Sequence, residues 1–282
     1  MEWLQAIILG IVQGISEPLP ISSSAHLLVI PWLLGWQEQP ADLKLTFDLA
    51  LHLGTTLALV TCFRKEILRI LSAFLRPRGL PEDARQRRLG LLVVLGCIPA
   101  GILGILFDDL IENQFRSPLH TALPLGVFGL LLYWADHAGR KTRDVSGIRT
   151  VDALLIGSAQ ALALVPGVSR SGVTITAGLS LGFRREEAAA FSFLMMTPLT
   201  AGACLLKFRD AAARVRGGAW PDFWNHDFPL MAVGTVTSFL VCVLCVRLFL
   251  RMLRRYPLDY FVVYRLALSA LIVGAAWLRV VP

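Results

Sequence analysis

Residues 3–34 read WLQAIILGIVQGISEPLPISSSAHLLVIPWLL, and residues 151–183 read VDALLIGSAQALALVPGVSRSGVTITAGLSLGF. Each stretch is apolar at both ends and interrupted in the middle by proline, glycine, serine and a charge. A plain membrane span carries no such interruption, because about 20 apolar residues in one helix cross a hydrocarbon core of roughly 30 Å. Broken backbone at membrane depth is tolerated only where protein buries it or it lines a cavity. Both stretches are long enough to enter the bilayer and leave it again as two half-helices. Each is therefore expected to form a re-entrant helical hairpin.

Working outward, the remaining apolar residues fall into six blocks, at about 47–63, 89–107, 119–135, 188–206, 229–248 and 259–279. The chain is 55% hydrophobic with a mean hydropathy of +0.63, against roughly 45–50% apolar residues in soluble domains. Short alternating strands, the mark of a membrane β-barrel, are missing from the pattern. The expected fold is an all-α polytopic membrane protein of about six transmembrane helices plus two re-entrant helical hairpins. No cleavable leader is expected, because the first apolar stretch has neither a basic start nor a small-residue cleavage site.

The net charge of +7 is read through the positive-inside rule. No basic patch is interleaved with stacking aromatics, so nucleic acid is not an expected partner. Residues 64–88 carry Arg64, Lys65, Arg69, Arg76, Arg78, Arg85, Arg87 and Arg88 against three acids, and residues 139–149 carry Arg140, Lys141, Arg143 and Arg149. Both loops are expected on the cytoplasmic side, with Arg251, Arg254 and Arg255. The acidic turn with Asp108, Asp109 and Glu112, which holds the single Arg116, then faces out. So do both termini. Lys207, Arg209, Arg214 and Arg216 also fall outside on this scheme and violate the rule.

An internal repeat accompanies the pattern. Gly10-Ile-Val-Gln13 resembles Gly157-Ser-Ala-Gln160, 147 residues later, and the same offset lays Ser22-Ser23-Ser24 on Ser169-Arg170-Ser171. A hairpin plus three spans in each half forces the second half upside down. Two inverted-topology repeats are expected within one integral membrane domain, about 1–137 and about 150–282. Such repeats place a site at the midplane, where broken helices meet.

The polar residues of the hairpins are the candidates for chemistry. Gln13 and Glu17 lie four apart and share a helix face. Glu17 suits a general base or, with Gln13, a divalent-cation ligand; the plainer alternative is a half-helix cap. Ser22, Ser23 and Ser24 suit a helix N-cap, and a half-helix N-terminus with hydroxyls also suits an anion. His26 suits a nucleophile, an acid or an orienting group, or a packing residue held by hydrogen bonds. Arg170, between Ser169 and Ser171 and one turn before Thr174, suits bidentate phosphate binding or an ion pair with Glu17. Asp48 and His52 either line the cavity or sit solvated at a span edge. Asp259 and Arg265 are expected to mark interfaces, and His120, His137 and His226 suggest nothing sharp. The five cysteines lack zinc spacing and read as small buried hydrophobes. No P-loop and no His-Glu-x-x-His motif occurs.

At these two hairpins the sequence resembles the bacterial undecaprenyl-pyrophosphate phosphatase family, also called the bacitracin-resistance protein family. The carriers are Gln13-x-x-x-Glu17, the stretch Ser22-Ser23-Ser24-Ala25-His26, and Pro166-Gly-Val-Ser169-Arg170-Ser171-Gly-Val-Thr174. Phe191-Ser-Phe-Leu194 before Pro198 adds to it. The departures are Gln13, which leaves one carboxylate in the first motif, Ala25 where glycine is common, and Pro18 where an aromatic is common. The resemblance implies hydrolysis of undecaprenyl pyrophosphate to undecaprenyl phosphate and inorganic phosphate, which recycles the peptidoglycan lipid carrier and confers tolerance to bacitracin. It also implies a divalent cation, Mg²⁺ or Ca²⁺, held by Glu17 and Gln13. The bilayer is the medium, a homodimer is compatible with it, and the location is the bacterial plasma (inner) membrane with the site facing the outer, periplasmic side.

On this reading Ser22, Ser24, Ser169, Arg170, Ser171 and Thr174 hold the phosphate. Glu17, Ser23, His26 and Arg170 carry the catalysis, with Ser23 the first choice of nucleophile and His26 or water the alternatives. A flippase or transporter for a polyprenyl phosphate is the rival, since inverted repeats suit alternating access.

Overall fold

The computed structural model describes residues 2–37, 39–76, 80–114, 117–217, 220 and 223–280. These fold into eleven α-helices: α1 Trp3–Ser16, α2 Ser23–Leu33, α3 Ala41–Cys62, α4 Arg64–Leu75, α5 Pro81–Gln114, α6 Pro118–Ala138, α7 Thr150–Leu162, α8 Arg170–Ser180, α9 Arg185–Arg216, α10 Phe228–Leu253 and α11 Asp259–Val280. Among the described residues there is no β-strand, only an isolated bridge between Arg143 and Phe183. Arg78 and Arg116 lie outside the described residues, as do the side chains of Asp108, Asp109, Glu112 and Arg214.

Six helices are long and apolar enough to cross a membrane: Leu43–Cys62, Pro81–Phe107, Pro118–Ala138, Arg185–Ala213, Phe223–Leu253 and Asp259–Leu278. They are the six blocks expected from the sequence, but several run further than the apolar residues do. α5 starts at Pro81, not near residue 89, and α9 at Arg185, not 188. The reason is in their first turns. Pro81 begins α5 with its φ already helical, and Glu82–Asp83 and Glu186–Glu187 meet the positive end of the helix dipole. Residues 64–75, expected as loop, form α4, whose Leu68, Leu71 and Leu75 are exposed on a helix rich in basic side chains.

The two interrupted stretches are each a pair of short helices. α1 has 14 residues and α7 has 13, so each is about 20 Å long at 1.5 Å per residue, too short to span. Neither packs mainly on the helices that follow it. α1 lies along α10, and α7 lies along α5. Close approach of backbones makes this packing possible. A Cβ on Gly10 would stand 2.8 Å from Thr237 Cβ and 2.9 Å from the Gly234 carbonyl, and one on Gly157 would stand 2.1 Å from the Gly96 carbonyl. Small residues at helix contacts are the usual device for bringing helices together in lipid.

The central packing is built on α3, α5, α9 and α10, with Phe63 edge-on to Phe193 and Phe193 tilted against Phe249. Leu91, Leu123, Leu205, Val263 and Trp277 are all at least 60% exposed, as a lipid-facing surface requires. A polar cluster closes one end. Asp136, fully buried at the end of α6, receives Arg185 Nε at 2.5 Å, the Leu258 N–H at 2.9 Å and Lys141. Asp152, in the first turn of α7, receives Arg143 and Arg149. Three of the four cations of the 139–149 loop, Lys141, Arg143 and Arg149, are thus paired with buried carboxylates.

Candidate functional site

The chain between α1 and α2 turns sharply at Ser22, and that between α7 and α8 turns sharply at Ser169. Ser22 has φ 73° and ψ 93°, and Ser169 has φ 73° and ψ 114°. A non-glycine residue at positive φ is uncommon and costs about 1–3 kcal/mol. Each serine offsets part of that cost as an N-cap: Ser22 Oγ accepts the Ala25 N–H at 3.4 Å, and Ser169 Oγ accepts the Gly172 N–H at 3.1 Å. The result is two helix N-termini, each preceded by the same bend. Gly167, with φ 97°, tolerates no Cβ, which would stand 2.4 Å from the Thr121 carbonyl.

The two N-termini meet at one cavity of about 60 Å³, lined by Glu17, Ser22, Ser23, Ser24, His52, Ala163, Ser169, Arg170 and Ser171. Residues 147 apart in sequence thus share one wall. The first N–H groups of a helix lack intrahelical acceptors, so the cavity faces two sets of donors and the positive ends of two helix dipoles, the ingredients of an anion site. Ser171 Oγ donates to the Leu19 carbonyl at 2.8 Å, which ties the second helix start to the first loop.

Within the cavity Ser23 Oγ donates to Glu17 Oε2 at 2.5 Å. The same oxygen accepts Gln13 Nε2 at 3.0 Å and lies 3.5 Å from His52 Nε2. A hydroxyl held against a buried carboxylate is the arrangement of a nucleophile and its base. Arg170 enters from the opposite hairpin and bonds Thr200 Oγ1. The arrangement is compatible with phosphoryl transfer: a carboxylate on one side, a cation on the other, and one helix N-terminus from each.

Residues 6–271 match the family described as Bacitracin resistance protein BacA. The chain belongs to that family. It is 44% identical over 281 residues, 99% of this chain and 100% of the other, to an undecaprenyl-diphosphatase of Moorella thermoacetica. It is 42% identical over 271 residues, 96% of each chain, to one of Thermodesulfovibrio yellowstonii. Against undecaprenyl-diphosphatase 2 of Stutzerimonas stutzeri it is 44% identical over 278 residues, 96% of this chain and 97% of that one.

In this member of the family not every residue singled out by motif faces the cavity. Thr174 is fully buried; its Oγ1 bonds the Arg170 carbonyl at 2.7 Å and Ser192 Oγ at 2.6 Å. It sits one turn along α8 and braces that helix from behind. His26 lies behind the first helix start. Its Nδ1 is 2.6 Å from the Ser22 carbonyl, which can only accept, so Nδ1 carries the proton; Nε2, 2.6 Å from Tyr264 Oη, then accepts from the phenol. The rings stack with 3° between their planes. Both ring nitrogens are occupied.

Four neighbours of the site escaped the motifs. His52 lines the cavity, Thr200 holds Arg170, and from α11 Tyr264 bonds His26 while Arg265 bonds the loops behind the two helix starts. Arg265 marks no interface, contrary to expectation. It is fully buried, with Nε 2.9 Å from the Leu125 carbonyl, Nη1 3.1 Å from the Pro20 carbonyl, and Nη2 3.1 and 3.0 Å from those of Gly167 and Val168. Its position between two apolar neighbours at i−3 and i+3, Val262 and Leu268, was the available signal, since a charge on an inward helix face is rarely idle.

Among the described residues two places could take a cation. One ligand atom from each of Asp136, His137 and Asp259 lies within 4.8 Å of the others, although Arg185 and Lys141 already counter the Asp136 charge. The other is behind the cavity wall, where Gln13 donates to Glu17 and its Oε1 is buried with no hydrogen-bond partner. An orphaned amide oxygen beside a carboxylate is the type of donor pair that hard divalent ions accept.

Proposed function

We propose that this chain is an undecaprenyl-diphosphate phosphatase, which hydrolyses undecaprenyl pyrophosphate to undecaprenyl phosphate and inorganic phosphate. The observation that carries the chemistry is the 2.5 Å contact from Ser23 Oγ to Glu17 Oε2 in a cavity that Arg170 enters from the other hairpin. Glu17 takes the Ser23 proton as Oγ attacks the terminal phosphorus. The bond from that phosphorus to the bridging oxygen breaks, and undecaprenyl phosphate leaves. Glu17 passes that proton to the departing undecaprenyl phosphate, takes another from the water that attacks the serine phosphoester, and returns it to Ser23 Oγ as inorganic phosphate leaves. Arg170, with the helix starts at Ser22–Ser24 and Ser169–Ser171, balances the charge that builds on the phosphoryl oxygens. Glu17 and the unpartnered Gln13 Oε1 would hold a divalent cation, Mg²⁺ or Ca²⁺, which supplies further charge neutralisation when bound. His26 serves on this reading as a brace, because both its nitrogens are engaged.

The same reading places the protein in the bacterial inner membrane as two inverted repeats, about 1–137 and 150–282. The reciprocal packing of α1 on α10 and α7 on α5 supports it, since each short helix rests on a span of the other half. The site opens toward the periplasmic side, the face away from the basic loops, where lipid-carrier recycling and bacitracin tolerance would follow. The test is phosphate release from a polyprenyl pyrophosphate by detergent-purified protein, with and without Mg²⁺ or Ca²⁺, beside Glu17→Gln. Cation-dependent release that disappears in the variant is expected. Folded wild-type protein that binds the lipid and releases no phosphate would overturn the reading in favour of a flippase.

A further inference from the structure

α11 is the most outward of the six spans, with 17% of its apolar window buried, yet its Arg265 is wholly enclosed. A cation taken out of water normally finds a carboxylate. Among the described residues Arg265 has no such ion pair, and its guanidinium is spent on four main-chain carbonyls. Their location is the informative part. The Pro20 carbonyl belongs to the loop that leads into Ser22 and Ser23. The Gly167 and Val168 carbonyls lead into Ser169 and Arg170, and the Leu125 carbonyl anchors the fork to α6. One planar group therefore joins the two backbone bends that carry the hydroxyl and the cation of the proposed reaction. Lysine has no rigid fork of five donors with which to do this.

We propose that Arg265 is a positioning residue for the phosphatase reaction: it holds the helix starts of Ser23 and Arg170 in mutual register. The inference rests on the phosphatase reading. Register matters to the transition state, where both groups act on one phosphorus, and matters less to initial binding, to which each helix start contributes separately. Loss of register is therefore expected in kcat before KM.

The α6–α11 contact supplies a matched pair of variants. A Cβ at Gly129 would press on Arg265, 3.3 Å from its Cβ and 3.4 Å from its Nε. A Cβ at Gly126, one turn away, would press on Ser269 Oγ at 3.3 Å and leave the arginine alone. Misplacement by 1 Å costs on the order of 10²-fold in rate, so a shift of a few tenths of an ångström in Gly129→Ala should lower kcat about tenfold. KM should stay within about threefold of wild type. Gly126→Ala should keep the wild-type kcat, and Arg265→Lys should lose more than Gly129→Ala. All are assayed for phosphate release below their own melting temperatures.

Wild-type release in the same assay tests the phosphatase reading separately, so failure of the two ideas is distinguishable. Equal kcat for the two glycine variants, whether both normal or both reduced, overturns the positioning role. A rise in KM with kcat unchanged overturns it too, and so does a Gly129→Ala protein that melts early yet turns over normally below its melt. If Arg265→Lys does not fold, the glycine pair still decides.

Discussion

The two pairs of short helices share a backbone bend and differ in the side chains placed on it. Gly10 and Gly157 let α1 and α7 lie against spans of the opposite half, Ser22 and Ser169 have the same φ of 73°, and each serine caps the helix it precedes. The side chains differ at the same places. Ser23 of the first hairpin corresponds to Arg170 of the second, and the position matching Glu17 is the apolar Leu164. One hairpin carries a hydroxyl and a carboxylate; the other carries a fixed cation. On the proposed reading, similar bends with different side chains would bring a nucleophile and an anion clamp to one cavity from two directions. A single hairpin has only one helix start and could not do both.

Removing the contribution of the second hairpin should have the largest effect among variants that spare the first. Arg170→Ala is expected to lower kcat by on the order of 10³-fold, with Arg170→Lys recovering part of the loss because charge remains but the bidentate geometry does not. Steady-state phosphate release checks both. A loss under tenfold would mean that the clamp is made by the helix starts alone.

The frame itself can be probed by adding a methyl at the two equivalent glycines. Gly157→Ala should destabilise by about 3 kcal/mol or more, and Gly10→Ala by about 1–2 kcal/mol. The first meets a backbone carbonyl at 2.1 Å, whereas the second meets its nearest atom, in the Thr237 side chain, at 2.8 Å. Thermal melting in detergent would show the order. A larger effect at Gly10 would mean that the two packings are not equivalent. At the bends, Ser22→Ala and Ser169→Ala should each cost about 1 kcal/mol as lost caps, and equal shifts in melting temperature would support the equivalence.

The smallest difference lies at the hairpin entrances. α1 begins on Glu2, which is exposed, while α7 begins beside buried Asp152. Burial by itself would raise the Asp152 carboxyl, but the hydrogen bonds from Arg143 and Arg149 outweigh it and hold it down at about 2. Its folded value lies below the ordinary one, so its contribution to stability is present above about pH 4 and is lost as pH falls toward 2. Wild-type melting temperature should drop over that range by more than that of Asp152→Asn. Parallel curves would remove Asp152 from the account.

The six spans were legible in the sequence because lipid imposes one simple demand, a run of apolar residues of sufficient length. The breaks between α1 and α2 and between α7 and α8 were legible for the opposite reason, since prolines, serines and charges have no place in such a run unless they do something. The helix ends were less visible. Pro81 and Glu186 extend helices beyond their apolar residues through a fixed φ and a charge suited to the helix dipole, which hydropathy does not register. Arg265 was misread because only packing distinguishes a charge at the membrane surface from one turned inward, and the carbonyls it bonds are up to 245 residues away. His26 and Thr174 stand in family motifs but lie behind the cavity wall. A motif records that a residue is needed and leaves open which way it points.

The central claim is that Ser23 delivers the attack, with Glu17 as its base. The most direct measurement is phosphate release from undecaprenyl pyrophosphate by purified Ser23→Ala beside His26→Ala and wild type, with folding checked by melting temperature. The account predicts that Ser23→Ala falls by at least about 10⁴-fold while His26→Ala keeps a measurable rate. Ser23→Ala turnover within tenfold of wild type, or loss of activity in His26→Ala alone, would contradict it.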